Sequence, residues 1–106
     1  RDRFHSRAAE IGKPGLNLIA ERQTKTRLAL AINELLKSRK LKRREVAMLL
    51  AIPQPKVSAL KNYRLDQFSV ERLMEFLTAL DHDVEIIIRP GTNAGGAGHI
   101  SVLAVQ

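Results

Sequence analysis

Two prolines in quick succession constrain this chain more than any other feature. Pro53 and Pro55 follow directly on the longest apolar run, the seven residues Val46–Ile52. Proline has no N–H and restricts the residue before it, so a helix through Val46–Leu50 has to end at Ala51-Ile52-Pro53. Pro55 is tolerated in the first turn of a following helix, where N–H groups lack intrahelical partners in any case. The sequence therefore predicts two short helices, at about 43–50 and 54–62, separated by only about three residues. In the first, Val46, Ala47, Leu49 and Leu50 form the apolar side. In the second, Val57 and Leu60 face inward three residues apart. Gln54, Lys56, Ser58, Ala59, Lys61 and Asn62 are left for solvent or a ligand.

The flanking segments supply more helix. From Thr24 to about Arg39, Leu28, Ile32, Leu35 and Leu36 recur at helical spacing, and the cations at the end suit a helix C-terminus. Ser69 is a favourable N-cap for a fourth helix. Phe68 and Leu73 stand at the staple positions around it, and Val70, Leu73, Met74, Leu77 and Leu80 form its stripe. After Asp81-His82-Asp83 the period changes. Val84–Arg89 and Ile100–Val105 read as strands, and the Gly-rich stretch 91–98 reads as a flexible link. Two strands alone are marginal, so pairing with the helices or with a second copy is expected. Ahead of the helices, Gly12-Lys13-Pro14-Gly15 interrupts a weakly periodic segment. The expected organisation is an N-terminal arm over 1–20, a helical domain over 21–82 and a C-terminal strand segment over 83–106 that serves dimerisation.

Charge divides the chain unevenly. Residues 1–45 carry net +8 and residues 46–106 net −1, for +7 in all. In Lys37–Arg44 six of eight side chains are cations. Such a block meets a nucleic-acid backbone, an anionic membrane or an acidic protein, or is simply a solvated helix end. With no cysteine among 106 residues, disulfide frameworks, thiolate metal sites and cysteine nucleophiles are excluded. No apolar run approaches the roughly 18 residues of a membrane span. The sequence begins at Arg1 without an initiator Met, so a trimmed or partial N-terminus is expected; no apolar h-region of a signal peptide follows, and a cytoplasmic protein is expected.

No catalytic or metal constellation emerges. His5, His82 and His99 lack metal-ligand spacing, and Asp81-His82-Asp83 reads as a polar turn. The glycines at 95, 96 and 98 lack the Lys-Ser/Thr of a phosphate loop. Ser58 has no base beside it in sequence, and Ser69 is accounted for as a cap. Neither an enzyme nor a cofactor is expected.

The runs Leu49–Leu60, Phe68–Met74 and Leu80–Ile86 resemble the Xre-type helix-turn-helix regulators. Within these, Gln54-Pro55-Lys56-Val57-Ser58, Phe68-Ser69-Val70-Glu71-Arg72-Leu73 and Asp83-Val84-Glu85-Ile86 are most similar to small antitoxins related to HigA. The likeness spans about residues 24–90. It implies a mainly α, lambda-repressor-like domain of four or five helices with a short C-terminal β element, whose third helix enters the major groove of DNA. By that resemblance Gln54, Pro55 and Ala59 face base edges. Lys56, Ser58, Lys61 and Asn62 reach phosphates or outer base edges, and Arg43 and Arg44 meet the backbone. This chain departs from the family at three places. Ala51 stands where glycine is common, at a cost of about 1 kcal/mol if φ is positive. Pro53 and Lys42 stand where capping hydroxyls or amides are usual.

The implied function is a homodimeric DNA-binding autorepressor, the antitoxin of a toxin–antitoxin pair whose partner is a RelE- or HigB-like toxin. Two alternatives remain at this point: an interaction module that mainly neutralises the toxin, and a stand-alone phage-type repressor. RNA binding is disfavoured because only Phe4, Tyr63, Phe68 and Phe76 are aromatic and stacking platforms are scarce.

Overall fold

In a computed structural model, residues 14–92 and 95–105 are described, with side chains from residue 18 onward. Four helices follow one another: α1 (Pro14–Arg39), α2 (Arg43–Leu50), α3 (Gln54–Lys61) and α4 (Val70–Ala79). The mainly α expectation holds, and the three later helices lie within a residue or two of their expected bounds. The first helix begins at Pro14 rather than Thr24. Proline read there as a breaker is instead a suitable first helical residue, because its fixed φ matches the helix and its missing N–H would have no partner. Residues 14–20, expected as part of an arm, are thus helical, while 1–13 lie outside the described residues.

The core is built from one stripe of each helix. Leu28, Ala29, Ile32 and Leu36 of α1 meet Val46 and Leu50 of α2, Val57, Ala59 and Leu60 of α3, and Leu73, Phe76 and Leu77 of α4. Ile52, Leu65, Phe68 and Leu80 close it from the connections. Phe68 and Phe76 pack edge to face, 5.7 Å between centroids. Leu49 is exposed, contrary to expectation. An eight-residue helix has room for one inward stripe, and Val46 and Leu50, four apart, occupy it.

Each helix ends on a residue in the left-handed region, and none of the four is glycine. Lys40, Ala51, Tyr63 and Asp81 have φ of 55°, 58°, 58° and 64°. The reversed backbone satisfies the last carbonyls: Ile52 N–H donates to Ala47 at 3.0 Å, Arg64 N–H to Ala59 at 2.9 Å and His82 N–H to Leu77 at 3.0 Å. Side chains from neighbouring elements reinforce these ends. Arg39 Nη2 donates to the Leu80 carbonyl at 2.6 Å, and Asn33 Nδ2 donates to the Leu60 carbonyl at 3.1 Å.

The C-terminal β element is not formed. Among the described residues there is no strand, and no main-chain hydrogen bond between connecting segments reaches beyond His82. Val84 and Val102 lean on the core, but Ile86, Ile87 and Ile88 are 73%, 77% and 92% exposed. The β-branched composition favours strand. Strand structure, however, requires a hydrogen-bonding neighbour, and none is present among the described residues.

Candidate nucleic-acid interface

The connection between α2 and α3 determines how α3 is presented. Ala51, at φ 58° and ψ 47°, turns the chain, and Ile52 drops its side chain into the core. Pro53 then serves as N-cap of α3 in an extended conformation. Proline has no capping side chain, so its carbonyl alone anchors the first turn, accepting from Lys56 N–H at 2.9 Å and Val57 N–H at 3.2 Å. Buried Val57 and Leu60 fix the inner face of α3. Pro53, Gln54 and Pro55 are consequently exposed at its N-terminal end.

The start of α2 lies against α3. Arg43 Nη1 donates to Ser58 Oγ at 2.9 Å, so two residues fifteen apart in sequence form one polar link. Arg44 is exposed beside it. Lysine has no acceptor, so Lys42 cannot cap α2 with its side chain. The cap is one-sided, with the Glu45 carboxylate accepting the Lys42 N–H at 2.7 Å. Arg43 and Arg44 oppose the positive end of the helix dipole, an arrangement that costs a few tenths of a kcal/mol and that an arriving anion would reverse.

Other cations collect at the far end of α3. Lys37, Lys40 and Lys61 line an open groove of about 330 Å³ together with Asn33, Leu36 and Leu41. None of these three lysines forms an ion pair among the described residues. Lys56 is half-buried, its Nζ 6.0 Å from the centre of the Phe68 ring. Asn62 is exposed but engaged, donating from Nδ2 to the Ser58 carbonyl at 2.8 Å.

The helix-turn-helix domain family HTH_37 matches residues 13–89. A solved structure described as a candidate XRE family transcriptional regulator is similar at 53% identity and a TM-score of 0.77, over 82% of this chain and 98% of that one. No curated protein matches at a significant level. The chain belongs to the Xre-type helix-turn-helix family.

Against that family frame, the expected contact residues divide. Arg44, Gln54, Pro55 and Lys61 are exposed on or beside α3, and Arg43 and Ser58 are joined. Ala59 has to be removed from the set. It is only 8% exposed and packs in the core, so its methyl cannot also meet a base edge. A small residue there lets α3 sit close to its neighbours, and sequence spacing alone read the position as outward.

Two residues emerged only from the structure. Arg72 of α4 reaches the turn: Nη2 lies 3.4 Å from the Leu50 carbonyl and 3.5 Å from that of Ala51, while Nη1 pairs with Glu75 at 2.9 Å. Its guanidinium also lies 5.0 Å from the centre of the Phe76 ring. Asn33 holds the other end of α3 through Leu60. Arg72 braces the turn and Asn33 the C-terminal end of α3, and nothing in local periodicity marks either. Among the described residues no group of three or more His, Asp or Glu gathers to hold a metal, and no helix is long and apolar enough to cross a membrane.

Proposed function

We propose that the protein is a sequence-specific DNA-binding transcriptional regulator acting as a homodimer in the cytoplasm. The observation that carries this reading is the presentation of α3: its inner face is buried, its N-terminal Gln54 and Pro55 are exposed, and Arg43 is joined to it through Ser58. A recognition helix lies in the major groove with its N-terminal residues at base edges, and Gln reads adenine through paired hydrogen bonds. Arg43, Arg44, Lys56, Lys61 and Asn62 supply phosphate contacts, which give affinity and register. Ser58 holds Arg43 until the backbone phosphate takes its place.

In the dimer, two copies of α3 meet half-sites about 34 Å apart. The segment 84–89, with its exposed isoleucines, becomes a strand on meeting a second copy, and 100–105 lies near it. The finer role is that of an autorepressing antitoxin. Its support is the likeness of the Gln54–Ser58 and Phe68–Leu73 runs to HigA-type antitoxins. Co-purification with the product of an adjacent gene for a small RelE-like protein tests that role separately.

The DNA reading is tested by changing Gln54→Ala and Lys56→Ala together. Specific binding should disappear while helical circular dichroism is retained. Retained specific binding would show that α3 is not the reader.

A further inference from the structure

The segment Val84-Glu85-Ile86-Ile87-Ile88-Arg89 is complementary to its own reversal. When two copies run antiparallel about a two-fold axis at Ile87, that residue faces its own copy and Ile86 faces the partner's Ile88. Glu85 then faces the partner's Arg89, and the symmetry repeats the pair. We propose that this register, fixed by two Glu85–Arg89 ion pairs, is the dimer contact, with a second copy of this chain as the partner. The inference rests on the homodimer reading above and adds to it the pairing and the residues that select it.

Four observations support a second copy in this register. The segment's main chain takes part in none of the hydrogen bonds between connecting segments, so its donors and acceptors are available. Its three isoleucines are among the most exposed large apolar residues of the described chain. In a strand the period-2 alternation puts Ile86 and Ile88 on the side of Val84, which packs on the core, and puts Ile87 with Glu85 and Arg89 on the other side. The other available strand former, Ile100-Ser101-Val102-Leu103-Ala104-Val105, has no charged residue. Pairing with it would leave Glu85 and Arg89 without mates, whereas self-pairing satisfies both. Moving the register by one step of the two-fold, to an axis at Ile86, sets Glu85 opposite the partner's Ile87. Opposite charges directly across a ladder stabilise it and like charges destabilise it, which is how register is selected.

The test uses charge exchange on the full chain. Glu85→Arg places arginine opposite arginine twice, and Arg89→Glu places glutamate opposite glutamate twice. Each single variant should dimerise roughly tenfold more weakly in sedimentation equilibrium. Mixed together, the two should form a heterodimer in preference to either homodimer, because each arginine then faces a glutamate. The double exchange Glu85→Arg, Arg89→Glu should restore the homodimer. Both positions are exposed, so circular dichroism should show unchanged helix in every variant. A wild-type dimer with all variants associating alike would overturn this register and leave the dimer reading intact. A wild-type protein that stays monomeric across the accessible concentrations would overturn both.

Discussion

The C-terminal segment is somewhat richer in aliphatic residues than the helical body, and the two dispose of them in opposite ways. In α1 to α4 the stripes are sequestered, and Ile32, Val46, Val57, Leu60 and Leu73 are fully buried. In 84–105 the aliphatic side chains, Val84 and Val102 apart, are largely in solvent. The difference lies in where the hydrogen-bonding partner sits. A helix satisfies its own backbone and needs only a neighbour for its apolar stripe. A strand needs a neighbour for both. One chain is therefore enough to complete the body, while the C-terminal segment has no pairing neighbour among the described residues.

The comparison is tested most severely by truncating each kind of apolar residue. Phe76→Ala, in the body, should destabilise the fold by about 3–5 kcal/mol, read as a large drop in urea midpoint. Ile88→Ala, in the segment, should leave the unfolding of the monomer unchanged and weaken self-association. A segment substitution that destabilises the monomer as strongly as the body substitution would erase the distinction.

Effects of middle size come from the turn and its presentation of α3. Gln54→Ala should cost about 1–3 kcal/mol of specific binding and relax preference at one base pair, measured by competition between operators. Ala51→Gly should raise stability by about 0.5–1 kcal/mol, because glycine adopts φ of 58° without a Cβ penalty. Ser69→Ala should lower it by about 1 kcal/mol, since the hydroxyl accepts the Arg72 N–H at 3.0 Å. The smallest change is expected at Arg44→Ala. Stability should stay within about 0.5 kcal/mol, and the slope of binding against salt should fall by about one unit.

The sequence carried the parts of this fold that depend on local chemistry. Pro53 and Pro55 marked the break between α2 and α3, Ser69 marked the start of α4, and Val57 and Leu60 marked the inner face of α3. Long-range packing was not legible. The early start of α1 at Pro14 turned on whether a proline opens or breaks a helix, and its residue type is compatible with both. The burial of Ala59 depends on how closely α3 is packed, which a three-residue spacing does not encode. Arg72 and Asn33 reach α3 and its turn from other helices, at separations of 21 to 27 residues. The C-terminal segment has strand composition but no strand, because composition reports preference and pairing requires a partner.

In the proposed dimer, α3 reads DNA as one half of a symmetric pair. Selection of bound duplexes from a random pool at ~150 mM salt, where non-specific phosphate binding is weakened, tests it most directly. The expected result is enrichment of a palindrome with half-sites one helical turn apart, and loss of that enrichment in the Gln54→Ala, Lys56→Ala variant. A pool that shows no enrichment, with binding that simply fades as salt rises, would contradict it.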